Sequence, residues 1–234
     1  MKLLFFILIF SFLLSPIYSQ QLNYRKVFGE DWLKAVTFEK ENRSWMEPVL
    51  ARYNISYRMA IAVIFPELVR YSALRDKMEI TLLKALYINL GDEYADFSIG
   101  QFQMKPSFAE LIIEETSPKM NKNPPLELKS RSHFDDLVSY RKAIVSDLEN
   151  TRSQFNYIIA FFKICDKKFN TERKGELQKL KFIATAYNYG IDKTAAQIDT
   201  MIDKKFFNTK LFKTENYSYA DVSMFWYQEF NYDK

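Results

Sequence analysis

Apolar residues recur at helical spacing along nearly the whole chain, and this periodicity predicts a mainly α fold. Residues 29–40 and 43–53 read as two short helices carrying Trp32, Val36, Phe38 and Trp45. Residues 56–65 form an apolar helix with Ser56 as N-cap, and Pro66 strains or ends it just before Glu67. Residues 77–90 place Ile80, Leu83, Leu86, Tyr87 and Leu90 on one stripe, with Gly91 as the stop. Pro106 suits the first turn of a helix reaching Glu115, with Phe108, Leu111 and Ile112 inward. Three prolines and several charges make 117–132 a surface loop. Phe134 to Leu148, Phe155 to Phe169, Leu177 to Tyr187 and Asp192 to Ile202 follow as further helices. The aromatic tail with Phe225, Trp226, Tyr227 and Phe230 is expected to pack back onto the body.

The first residues break this pattern. Lys2 precedes an apolar run from Leu3 to Leu14, and Pro16 and Ser19 suit a cleavage zone. Residues 1–19 therefore read as an export signal, and 20–234 as one domain outside the cytoplasm, periplasmic or extracellular. The run is short for a membrane span, and no later stretch is apolar enough for one. A retained N-terminal anchor is the competing reading of the same residues. The mature chain is expected to be a monomer.

Composition narrows the chemistry. Five glycines and seven prolines argue against a turn-rich β protein. The formal charge of +4 falls to +3 without Lys2, a mild excess that suits an anionic polymer, and no basic block suggests nucleic acid. Cys165 is the only cysteine and His133 the only histidine. An internal disulfide is thereby excluded, and so are most metalloprotease and thiol-protease readings. Cys165 lies in an apolar run and reads as a buried structural thiol, and neither a metal nor a cofactor is expected. A carboxylate enzyme passes every one of these tests.

The candidate carboxylate is Glu67, which ends the run Ile61-Ala62-Val63-Ile64-Phe65-Pro66. Desolvation keeps a carboxyl in such surroundings protonated, as a general acid requires. Taken alone, the local sequence favours a glutamate at a helix end that simply points to water. Two later motifs bear on the choice: Gly100-Gln101-Phe102-Gln103-Met104-Lys105-Pro106 and Ala186-Tyr187-Asn188-Tyr189-Gly190. Each is weak alone. A Glu at the end of an apolar helix, a Gly-x-x-Gln-x-x-Pro turn and Ala-Tyr-Asn-x-Gly, in that order, resemble the lysozyme-like domain of lytic transglycosylases and goose-type lysozymes. The resemblance covers roughly residues 50–195.

What the resemblance implies is a lysozyme-like helical fold, with a small hairpin between Asp92 and Phe102, that cleaves peptidoglycan glycan strands. Glu67 would be the general acid and then the base, and Tyr187 would orient it. Gly100 would let backbone approach the sugar, and Gln103, Ser98 and Asn188 would bind it. In transglycosylases the substrate's own acetamido group assists, and the C6 hydroxyl closes a 1,6-anhydro ring. In goose-type hydrolases an aspartate near the turn positions a water, a part that Asp96 would play. A relative that binds glycan without cutting it is the third reading. The chain departs from the family pattern at Leu68, where Ser is usual, and in the 33 residues separating Glu67 from Gly100. A serine that commonly binds the N-acetyl group falls near Tyr94, leaving Ser98 as substitute.

Overall fold

The computed structural model describes residues 22–73, 77–116, 126, 128–209 and 215–230. The 1–19 export segment lies outside the described residues, as does most of the 117–132 loop. The fold is mainly helical. Its helices are α1 (Tyr24–Phe28), α2 (Glu30–Arg52), α3 (Tyr57–Ala73), α4 (Lys77–Leu90) and α5 (Pro106–Glu115), then α6 (Leu137–Glu149), α7 (Thr151–Phe169), α8 (Glu176–Tyr189), α9 (Ala195–Met201) and α10 (Tyr219–Glu229). Strands β1 (Lys205–Phe207) and β2 (Tyr217–Ser218) pair antiparallel between α9 and α10. No helix among the described residues is long and apolar enough to cross a membrane.

α3 is the centre of the molecule, with every residue from Met59 to Val69 buried. Such a helix, apolar all round, must be covered on all sides. Helices α2, α8 and α10 cover it, so the segments before residue 50 and after residue 195 share its core. Trp32 of α2 sets its ring edge-on against Phe65, and Trp226 of α10 stacks on the same ring at 5.1 Å. The aromatic tail thus packs back as its composition predicts. Cys165 is buried and free.

Local chemistry explains most helix ends. Asp136, Asn150 and Thr194 accept hydrogen bonds from the first-turn amides of α6, α7 and α9, and Ser56 caps α3 through Met59 N at 3.3 Å. Gly91 and Gly190, both at positive φ, close α4 and α8.

Three expectations are corrected. The two short helices at 29–40 and 43–53 are one helix, α2, with Pro48 inside it. Asn42 does not break it, because its amide donates to the Phe38 carbonyl one turn back and accepts from Trp45 Nε1. Pro66 likewise lies inside α3, which runs on to Ala73. Pro66 has no N–H to give the Ala62 carbonyl. The adjacent Val63 carbonyl is taken by the Tyr219 hydroxyl at 2.9 Å, so tertiary bonding supports the helix at its weak point. Finally, in place of a hairpin over Asp92 to Phe102 there is a tight turn with one isolated bridge, Ile99 to Met104. Among the described residues the two-stranded pair lies instead at β1 and β2, in a stretch without strand periodicity.

Candidate active site

Because α3 continues past Pro66, Glu67 projects from the middle of a buried helix. Its side chain is 4 % exposed. Arg70, one turn later on the same helix, places Nη1 3.0 Å from both carboxylate oxygens. Burial raises the Glu67 pKa, and the charge and hydrogen bonds of Arg70 oppose that rise without cancelling it. Arg70 is itself fixed from outside α3. Its guanidinium lies 4.6 Å over the Phe207 ring of β1, and its Nε donates to the Asn208 carbonyl at 3.3 Å.

Two tyrosines complete the surroundings. Tyr187 of α8 and Tyr219 of α10 both sit where the Glu67 charge acts on their hydroxyls, and burial pushes both phenols well up. Neither bonds to the carboxylate. The Tyr219 hydroxyl goes to the Val63 carbonyl, and the Tyr187 hydroxyl donates to the Phe102 carbonyl at 2.9 Å. Tyr187 is wedged edge-on between Phe108 and Phe161, with ring centres at 5.4 and 5.3 Å. It therefore ties the Gly100–Met104 turn to α8 rather than orienting Glu67 by a direct hydrogen bond.

The turn is built more firmly than its sequence suggests. Gln154 of α7 is buried and clamps it, with Oε1 accepting from Phe102 N and Nε2 donating to the Ile99 carbonyl. Gly100 stands at φ +70°, and a Cβ there would lie 2.1 Å from the Leu148 carbonyl. The glycine is needed for packing against the α6–α7 junction, a structural reason for it that the motif does not carry. Gln103, also left-handed at φ 49°, donates from Nε2 to the Gly100 carbonyl at 2.9 Å and so spends one of its two amide donors within the turn.

Asp96 is committed as well. Its Oδ1 accepts from Ser107 N at 3.2 Å, at the start of α5, and its Oδ2 pairs with Lys105 at 3.1 Å. It acts as a cap for α5, a role the sequence reading did not give it. Ser98 is half-buried beside the turn, and Asn188 is exposed at the end of α8. Asn188 lines a narrow crevice with Thr185, Tyr189, Phe206, Phe207 and Tyr219. This crevice reaches Phe207, the ring on which Arg70 rests. No group of His, Cys, Asp and Glu among the described residues could hold a metal ion.

The structure thus brings Glu67 and Tyr187 together and joins Tyr187 to the turn through Phe102, while Asp96 and Ser98 stand apart from this set of contacts. Arg70, Phe207 and Tyr219 were not foreseen. Arg70 had a signal, since it lies three residues after Glu67 and shares its face once the helix is carried through Pro66. Phe207 and Tyr219 reach the site by tertiary packing alone. Compared with known proteins, the chain matches no family model, no curated protein and no solved structure.

Proposed function

We propose that the chain is an exported enzyme that cleaves the glycan strands of peptidoglycan, as a lytic transglycosylase of lysozyme-like fold. One observation carries the reading: Glu67 is a carboxylic acid whose burial raises its proton affinity, and it lies beside Tyr187, which is bonded to the Gly-x-x-Gln turn. The three elements of the resemblance, far apart in sequence, are thereby neighbours in space.

In this reading protonated Glu67 gives its proton to the glycosidic oxygen as the C1–O bond breaks. The acetamido group of the muramoyl residue stabilises the positive charge that develops at C1. The C6 hydroxyl of the same residue then bonds to C1, and its proton returns to the Glu67 carboxylate. No water is consumed, and the product carries a 1,6-anhydro ring. The hydrolytic alternative requires a carboxylate free to hold water, and the Asp96 oxygens are already bonded to Ser107 and Lys105. The Arg70 contact favours a second reading, a glycan-binding protein that does not cut, because it stabilises the charged form of Glu67.

Digestion of purified sacculi by the mature protein tests these readings. Soluble 1,6-anhydromuropeptides, lost in Glu67→Gln, are the expected outcome. Reducing-end products would move the assignment to a hydrolase. Sedimentation with sacculi and no release would move it to a binding protein.

A further inference from the structure

The contact between Arg70 and Glu67 joins two parts of the molecule that the sequence keeps far apart. Nη1 of Arg70 reaches both oxygens of Glu67, while the opposite sides of the same guanidinium are held by β1 and the residue after it, through the Phe207 ring and the Asn208 carbonyl. Phe207 is fully buried, so its ring is a fixed face. The arginine side chain itself keeps 22 % exposure and has solvent as an alternative partner. The other ionisable groups near Glu67 are Tyr187 from α8 and Tyr219 from α10, whose hydroxyls are turned to backbone carbonyls. The segment of β1 that packs here brings an apolar ring, so the positive charge at Glu67 comes from Arg70.

We infer that Arg70, seated on β1, is a latch on Glu67: it is a positioning residue that sets when the carboxyl holds a proton. With Arg70 seated on Phe207 and Asn208, the cation stabilises the carboxylate. Without that seat Arg70, which already reaches solvent, turns to water, and the buried carboxyl takes up a proton. Seating of Arg70 and protonation of Glu67 are then one linked equilibrium. The catalytic meaning of the latch rests on Glu67 being the acid of the proposed reaction, whereas the linkage itself does not.

The test is a pH titration of the Glu67 side-chain carboxyl by 13C NMR in the mature protein, its resonance identified by its loss in Glu67→Gln. Arg70→Met is expected to tighten proton binding at Glu67 at least tenfold, and Arg70→Lys, which keeps the charge but has no guanidinium to seat on Phe207 and Asn208, to tighten it by less. Phe207→Leu keeps an apolar side chain at the position but removes the aromatic face, and it never touches Glu67. It is expected to tighten proton binding several-fold with Arg70 present and to do nothing further in Arg70→Met. An unchanged titration in Arg70→Met, or a Phe207→Leu effect that persists without Arg70, would overturn the latch. Circular dichroism checks that each variant folds, and if Phe207→Leu does not, the seat is tested by Arg70→Lys, whose proton affinity must fall between wild type and Arg70→Met; equality with wild type would overturn it. Cleavage by Glu67→Gln would end the proposed function and leave the NMR linkage standing. A flat NMR response would end the latch and leave that assignment untouched.

Discussion

Two glutamates in this molecule are almost equally buried, and each has an arginine one turn later on its own helix. Glu39 of α2 is 2 % exposed and Glu67 of α3 is 3 % exposed. Around Glu39 the hydrogen bonds are complete. Arg43 forks across the carboxylate, Nε to Oε1 at 2.9 Å and Nη2 to Oε2 at 3.2 Å, and the Tyr57 hydroxyl adds a third bond at 2.7 Å. The guanidinium is capped by the Phe230 ring. Around Glu67 a single nitrogen serves both oxygens, and the two nearby tyrosines spend their hydroxyls elsewhere. Three donors in a fork hold a carboxylate as part of the scaffold. One shared donor in an apolar pocket leaves a carboxyl with a use for a proton. Burial alone does not separate the two; the number and anchoring of the donors does.

The most forceful way to break this comparison is to make both residues glutamine. Glu67→Gln should lower glycan cleavage by about 10²–10⁴-fold, the range of a lost general acid, with little change in the urea midpoint. Equal activity from wild type and variant would return Glu67 to the same structural role as Glu39. Glu39→Gln should do the reverse. It should lower stability by about 1–3 kcal/mol in urea titration, less than for a fully buried pair because the Arg43 side chain is 38 % exposed, and leave cleavage at wild-type rates below the unfolding transition.

The tyrosines sharpen the contrast at smaller cost. Tyr57→Phe removes one of the three donors at Glu39 and should destabilise by about 1 kcal/mol. Tyr187→Phe loses a partly buried hydrogen bond, but that bond holds the Phe102 carbonyl of the turn. It should therefore lower cleavage more than stability, by moving the turn relative to Glu67. Loss of stability with unchanged turnover per folded molecule would make Tyr187 a core residue only.

What the sequence disclosed about these sites divides along the range of the interactions. The helices are written in local spacing, so α4, α5, α8 and α9 fall where their apolar stripes and caps place them. Pro66 misled, because a proline reads locally as a stop and only the packing of α2, α8 and α10 around α3 carries the helix through it. The same tertiary packing hid half of the site. Glu67 and Tyr187 stand in motifs, but Phe207 and Tyr219 come from short or aromatic-rich segments with no pattern that points to Glu67. Gly100 has a reason that the motif does not contain: the structure needs it for close approach to the Leu148 carbonyl. Glu39 had no motif at all, since its partner Tyr57 lies 18 residues away on another helix.

The smallest effect concerns pH. Burial raises the Glu67 pKa in the folded state above the ordinary carboxyl value it has when unfolded. Below that ordinary value the group is protonated in both states and burial of its charge costs nothing. As pH rises past it, the unfolded chain releases its proton first and gains free energy that the folded chain does not. Stability owed to the neutral form is therefore lost as pH rises through the folded pKa, and is constant above it. Glu67→Gln cannot titrate and escapes this loss. Urea unfolding of both proteins at pH 4 and pH 7 should find wild type losing ground to the glutamine variant at the higher pH. Arg70→Met should widen the loss, because Arg70 is the group that favours the charged carboxyl. A difference independent of pH would mean that Arg70 fully offsets burial, and Glu67 would then stand with Glu39 as a satisfied ion pair.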